Sequence, residues 1–437
     1  QVWDGRYTGI RMCNQLLENI DRVPDLDPEL KKRYIGEAKV LRAYSYYELY
    51  TKFGDIPYTT KVLSIKESMS IARTAKATVI ANVLADLDEV INGNYLPTSY
   101  DADNKGRITR WAAMAIKAKI YLFEGNWTQV KNITSTIMTE GGFKLFGSYA
   151  GLFEIANEYN SEVILDAQYR PTSREHQMMY VFLPPTLGGY SQLSPLQELV
   201  DSYIMLDGKT IKETGTSFDE SHPYANRDPR LKATVMYTGN SYTLADGTEV
   251  VINCEKGEGK DGYGVGSDCS ATGYYIKKYW DNTYRATLYS GLNPILIRYA
   301  DILLMNAEAL AELGELDKTA WDATIKPIRD RAGFTLASAL EFPEGASKDK
   351  LIEIVRNERR SELALEGHRH KDIIRWRIAD NVLNGWCHGL KTNDVVGTDD
   401  GYVRVENRTF NANKHYLWPI PQAERDLNGN LEQNPNW

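Results

Sequence analysis

Apolar residues recur at three- and four-residue spacing through most of the first 140 positions, the period of one face of an α-helix. Asp27 stands where a helix cap belongs, and Pro28 follows in the first turn, where a missing N–H costs nothing. Leu30, Tyr34, Ala38, Leu41, Ser45 and Leu49 then form one stripe, and Gly54 closes the run. Val79, Ile80, Val83, Leu84, Leu87, Val90 and Ile91 make a second stripe, closed by Gly93. A third helix is predicted from Thr109, with Ala112, Ala115, Ala118 and Leu122 on one face. Gly125 breaks it, and Asn126 caps a fourth helix that carries Trp127, Val130, Ile133 and Ile137.

The pair from Thr109 to Met138 has tetratricopeptide character: a small-residue face, a glycine at the turn, then a returning helix. A second pair has the same spacing. Ala118 lies seven residues before Gly125, and Ala307 lies seven before Gly314. The helix around Ala307 is predicted over 296–313, and Asp317 caps a partner carrying Trp321, Ile325 and Ile328. Small residues at these positions let two helices cross closely. Between 141 and 293 the texture changes. Short β-favouring runs at 163–165, 179–182 and 233–236 alternate with Pro-Pro, Gly-Gly and Asn-Gly breakers. A stretch that long is more than a connector, and its aromatic content argues against disorder. Helix returns over 348–366, followed by loops to Trp437. The expected fold is mostly α: tetratricopeptide-type pairs form a scaffold from 1–140 and 294–437, around a long irregular, partly β insertion over 141–293.

Composition narrows the chemistry. Apolar residues are 42% and charged residues 25% of the 437, ordinary for a globular protein. The net charge of −8 makes a polyanion such as nucleic acid a poor first partner. Tyr and Trp number 28 and 9 against 10 Phe, a skew toward polar-tipped rings that suit contact surfaces. No run reaches the roughly 18 apolar residues of a membrane helix, and 1–6 has neither a charged n-region nor an apolar core of a secretory signal. Cys13 reads as a buried helical thiol. Cys254 and Cys269 bracket a glycine-rich stretch; a bridge there closes a loop of about 15 residues and stabilises by roughly 3 kcal/mol, outside the cytosol only.

Catalytic and metal readings fare poorly. Glu358 and Glu362 lie four apart on one helix face, the spacing of an acid pair. Arg356, Arg359, Arg360 and Arg369 surround them, which keeps carboxylates ionised and useless as general acids, so paired charges locking the helix to its neighbours are expected. None of the six histidines is four from another on a helix. Glu255, Glu258, Asp261 and Asp268 could hold calcium through oxygens, but without the ordered spacing of a calcium loop they read as a solvated acidic loop. No cofactor is expected.

Three segments together carry a family resemblance. The first is Gly36-Glu37-Ala38-Lys39-Val40-Leu41-Arg42-Ala43-Tyr44, running on to Phe53-Gly54-Asp55-Ile56-Pro57. The second is Ile297-Arg298-Tyr299-Ala300-Asp301-Ile302-Leu303-Leu304-Met305-Asn306-Ala307-Glu308-Ala309, followed by Arg329-Asp330-Arg331-Ala332-Gly333. The third is Glu358-Arg359-Arg360-Ser361-Glu362-Leu363-Ala364-Leu365-Glu366-Gly367-His368-Arg369, and the chain closes on Leu417-Trp418-Pro419-Ile420-Pro421-Gln422. In this order they resemble the SusD/RagB family of outer-membrane nutrient-binding lipoproteins. The resemblance implies a single compact SusD-like body: a non-catalytic, surface-exposed glycan- or oligosaccharide-binding protein of the outer membrane. It also implies a SusC-like TonB-dependent transporter as partner, and a lipid anchor on a leader that would precede Gln1. Trp3 and Tyr7 match the family's helix pattern and read as structural.

A sugar ring offers an apolar C–H face and a rim of hydroxyls, so its binder needs flat aromatic platforms beside amides, carboxylates or arginines. The segment 274–285 supplies both kinds. Trp280, Tyr284, Tyr274 and Asn282 are the candidate ligand contacts, with Tyr190 in a Gly/Pro loop and Tyr263 beside them. Two other readings fit parts of the pattern: a helical-repeat scaffold for protein–protein contact, and an α-rich glycoside hydrolase with two carboxyl groups lining a pocket.

Overall fold

The computed structural model describes residues 2–283 and 288–437. Its contacts separate two compact units, one made of Gln1–Gly142, His370–Leu383 and Phe410–Trp437, the other of Phe143–Arg369 and Asn384–Thr409.

The first unit is built from helices Val2–Asn19, Pro28–Phe53, Lys76–Asn92, Arg110–Phe123 and Trp127–Glu140, each packed on the next or the next but one. The cap residues act as the sequence requires: Asp27 accepts from the Leu30 N–H at 2.8 Å, Thr109 from Ala112 and Asn126 from Gln129 at 3.3 Å. Ala112, Ala115 and Ala118 are fully buried, which is the close crossing their size permits. Leu41, expected on the buried stripe, is instead 49% exposed; the buried face of its helix runs through Val40, Ala43, Tyr46 and Tyr50. The C-terminal segments close this unit, with the Lys371 ammonium 2.5 Å from Glu48 and the Asn434 amide donating to the Phe53 carbonyl. Two lysines, Lys371 and Lys52, outweigh the burial of Glu48 and bring its carboxyl down to about 2.

The second unit holds the other helical pair, Tyr299–Leu313 and Lys318–Ala332, and helix Lys348–Glu362 packed on both. The expected division placed these helices with the first scaffold. The contacts group them with the irregular segment, because a buried ion network ties them there. Arg298 bonds Glu162 and Glu362 at 2.6 Å and Glu366 at 2.7 Å. Arg230 bonds Asp228, Glu358 and Glu362 at 2.6–2.8 Å, and Arg331 bonds Glu162 at 3.0 Å and also Glu362. Glu358 and Glu362 are therefore locked structural charges, as expected, but their partners are Arg230, Arg298, Arg329 and Arg331 from other elements, whereas Arg356 pairs with Glu312 and Arg359 with Asp301.

Three local expectations differ. Residues 295–298 form a strand, and the helix starts only at Tyr299, because antiparallel pairing with Val163–Asp166 claims the residues before it. The run 179–182, read as β, is the short helix Met178–Phe182, and 229–234 is helical before the two-residue strand Val235–Met236. The helix expected over 348–366 ends at Glu362, and further on a three-stranded sheet forms from Gly385–Lys391, Thr398–Asp399 and Tyr402–Arg408, in the order first, third, second. All four cysteines are free, with Cys13 buried in its helix. Among the described residues no helix is long and apolar enough to cross a membrane.

The ion network sets an acid limit. Burial opposes the charge on Glu362, Glu358 and Glu366, yet their arginine partners, with Lys278 for Glu366, prevail and hold all three below the usual carboxylate value of 4.5. A carboxylate depressed in the folded state adds stability that is present above its unfolded value and lost as pH falls through the folded one. The urea midpoint of this unit is expected to fall steadily once pH drops below about 4.5; a midpoint unchanged down to pH 3 contradicts the assignment.

Candidate functional site

The irregular half of the second unit brings three loops to one face. The first is a tight turn in which Arg170 and Arg174 exchange both backbone hydrogen bonds, at 2.8 and 3.0 Å. It sets the Tyr169 ring edge-on to His176, centroids 4.7 Å apart, with the Arg174 guanidinium 5.3 Å above Tyr169. His176 pairs with Ser290 through both backbone groups, and its Nε2 lies 2.8 Å from the Leu292 carbonyl oxygen, so that nitrogen carries the proton.

The second loop carries Tyr190. Helix Met178–Phe182 presents Tyr180, and the chain reverses at Pro184 to Gly189 so that the Tyr190 N–H donates to the Tyr180 carbonyl at 3.0 Å. The two rings stack at 4.2 Å and 28°. Tyr190 remains 39% exposed, with its ring backed by Tyr180. Gly189 makes the reversal possible: a Cβ there would stand 2.2 Å from the Leu183 carbonyl oxygen.

The third loop is formed by residues 281–283 and 288–290. Buried Asp281 accepts from the Thr283 N–H at 2.9 Å, from the Thr283 hydroxyl at 2.6 Å and from the Ser290 hydroxyl, tying the two stretches together. Ser290 is the residue that pairs with His176, and a Cβ on Gly291 would meet the Pro171 nitrogen at 2.3 Å, so this loop and the first lie against each other. A Cβ on Gly188 would stand 3.8 Å from Leu288, which brings in the second. Asn282 and Tyr289 are exposed on the loop.

The candidates from the sequence thus separate. Tyr190 and Asn282 are exposed on the second and third of these loops. Trp280 is half-buried, with its indole N–H donating to the Thr243 carbonyl at 2.8 Å and its ring against Tyr242. Tyr284 lies outside the described residues. Tyr274 is 2% exposed, and its hydroxyl donates to Gln197 at 2.6 Å. It forms part of the wall of a groove of about 810 Å³ that also takes in Tyr224 and Tyr402. Lys391–Glu220 and Lys256–Asp394 ion pairs join the loops lining that groove. Half-buried Tyr263 packs on the core beneath it, its backbone hydrogen-bonded to Cys254. Asp261 is buried and accepts from the Thr186 N–H, whereas Glu255, Glu258 and Asp268 face solvent. Among the described residues no group of His, Cys, Asp and Glu converges as a metal site.

Sequence reasoning missed Tyr169, His176, Tyr180 and Tyr289. Tyr180 sat in a run read as strand, and only the Gly188-Gly189 pair marked the reversal that stacks it under Tyr190. Tyr169 and His176 lie seven residues apart, and they meet the loop of Tyr289 across more than 100 residues, a distance at which no local pattern speaks.

The loop face is open, with Tyr190, Asn282 and Tyr289 exposed on it. The SusD family model matches residues 152–437, and a second model, described as "Starch-binding associating with outer membrane", matches residues 1–122. The chain belongs to the SusD family. SusD-like protein P25 of Formosa agariphila is 28% identical over 406 residues, covering 87% of this chain and 71% of the relative. A SusD-like carbohydrate-binding protein of Bacteroides fragilis, solved by crystallography, superposes with a TM-score of 0.88 at 29% identity over 99% of this chain and 85% of that one. A second SusD-like crystal structure from the same species gives 0.84 at 28% identity, over 100% and 86%. The mostly helical fold and the family read from the sequence are both as expected.

Proposed function

We propose that this protein binds glycan chains at the outer cell surface through the Tyr180–Tyr190 face and hands them, uncleaved, to a SusC-like TonB-dependent transporter. The observation that carries the reading is the exposed Tyr190 ring, held flat by the Tyr180 ring behind it. A backed aromatic loses little freedom on binding, and sugar C–H faces stack on it while amides and arginines serve the hydroxyl rim. Carbohydrate binding by the Bacteroides fragilis relative supports the same ligand class. Asp281, the carboxylate beside Asn282, takes three hydrogen bonds inside the loop, which fits a positioning role and leaves it no part as an acid. Outer-membrane attachment and the lipid anchor belong to this reading through the family.

Covering one face of the Tyr190 ring removes roughly 55 Å² of apolar surface from water, about 1.4 kcal/mol, or tenfold in affinity. Tyr190→Ala is therefore expected to weaken retention on polysaccharide affinity gels and binding in calorimetry about tenfold, with no released sugar from either protein. Undiminished binding by the variant removes the site, and turnover removes the non-catalytic reading.

A further inference from the structure

The first unit contains a groove of about 750 Å³ that the glycan face does not use. It opens beside the C-terminal ends of helices Pro28–Phe53 and Arg110–Phe123 and is completed by residues from 374–377, 412–417 and 432–435. Tyr50 lines it, is 1% exposed, and its hydroxyl has no hydrogen-bond partner. Burying a hydroxyl without a partner destabilises the unliganded protein, so such a group calls for an explanation.

The charges around it are unevenly matched. Lys76 lies 2.9 Å from Glu124 and neutralises it, and Asp55 accepts from the Lys76 backbone N–H. Glu432 is the third carboxylate of the lining. Arg73 is spent on the carbonyls of Phe53, Asp55 and Glu432 and on the Asn434 amide oxygen, and Arg375 pairs with Asp372. Arg377 and Lys414 face rings instead. The Arg377 guanidinium is 4.5 Å from the Tyr416 centroid and the Lys414 ammonium 4.2 Å from that of Trp437, and neither has a carboxylate partner among the described residues. Arg377 also sits at φ 56°, left-handed backbone that glycine adopts at no cost.

We propose that this groove is a second ligand site, for a saccharide unit carrying a carboxylate or sulfate group. Arg377 and Lys414 take the anion, and the Tyr50 hydroxyl donates to a ligand oxygen. That the anion is borne on a saccharide rests on the carbohydrate-binding reading above; the preference for an anion rests on the groove itself.

The test titrates the full chain with oligogalacturonate, with a sulfated oligosaccharide and with a neutral oligosaccharide of equal length. It uses the Arg377→Ala/Lys414→Ala double variant, Tyr50→Phe and Tyr190→Ala. At least one acidic ligand is expected to bind, the two acidic arms telling carboxylate from sulfate, and the double variant to lose at least tenfold in affinity for it. Tyr50→Phe is expected to raise the melting temperature of the unliganded protein and to reduce the shift produced by the acidic ligand. The acidic ligand is still expected to shift the melting temperature of Tyr190→Ala, through Arg377 and Lys414. Equal binding by the double variant, equal affinity for acidic and neutral ligands, or a lower melting temperature for Tyr50→Phe overturns the proposal, as does an acidic peptide binding where no acidic saccharide does. Neutral glycans binding through Tyr190 with no acidic response removes this site alone; no glycan binding of any kind removes the carbohydrate reading as well.

Discussion

Replacing Glu362 with alanine is expected to cost about 3–5 kcal/mol of stability, the range for removing one member of a buried ion pair. Its Oε1 faces Arg298 at 2.6 Å and also Arg331, and its Oε2 faces Arg230 at 2.8 Å. These side chains are almost wholly buried, so water cannot replace the lost carboxylate. Each arginine keeps another partner: Glu162 and Glu366 for Arg298, Glu162 for Arg331, Asp228 and Glu358 for Arg230. The variant is therefore expected to fold, with a much lower urea midpoint. Glu362→Gln separates charge from volume: it keeps the shape and is expected to lose nearly as much. A loss below about 1 kcal/mol for alanine, the level of an exposed pair, would show that the network does not carry the packing of this unit.

Gly189→Ala is the second large effect, and it falls on binding. The added methyl cannot coexist with the Leu183 carbonyl oxygen 2.2 Å away, and backbone does not swing aside as a flexible side chain does. Overpacking of this kind costs about 1–3 kcal/mol and forces a local shift. The residue that shifts with it is Tyr190, whose N–H bond to Tyr180 fixes the stack. Glycan binding is expected to drop at least as far as in Tyr190→Ala although the tyrosine is still present, while the melting temperature falls by only a few degrees. Full binding by Gly189→Ala would mean that ordered stacking is not what holds the ligand.

Local chemistry made the helices legible. Asp27, Thr109, Asn126 and Asp317 each accept the backbone N–H that an N-cap should. The arginine-flanked glutamates of Lys348–Glu362 announced their pairing, since carboxylates so placed remain ionised. The failures share a tertiary cause. Ile295, Leu296 and Ile297 continue the apolar pattern of the helix after them, and only pairing with Val163–Asp166 makes them strand. Met179 to Phe182 is rich in β-favouring residues, yet one buried face against the core makes it a helical turn. Tyr274, proposed as a ligand contact, shows the limit for single residues. A tyrosine in a glycine-rich stretch reads the same whether its hydroxyl meets a sugar or, as here, Gln197.

The account rests on sugar lying on a ring, and the direct measurement is a crystal structure of the full chain soaked with the neutral oligosaccharide that binds most tightly in solution. The account predicts an intact chain with one pyranose face over Tyr190, hydroxyls within hydrogen-bonding distance of Asn282, and Tyr180 still stacked behind. Density for sugar confined to the Tyr224–Tyr274–Tyr402 groove, or for a shortened product, would contradict it.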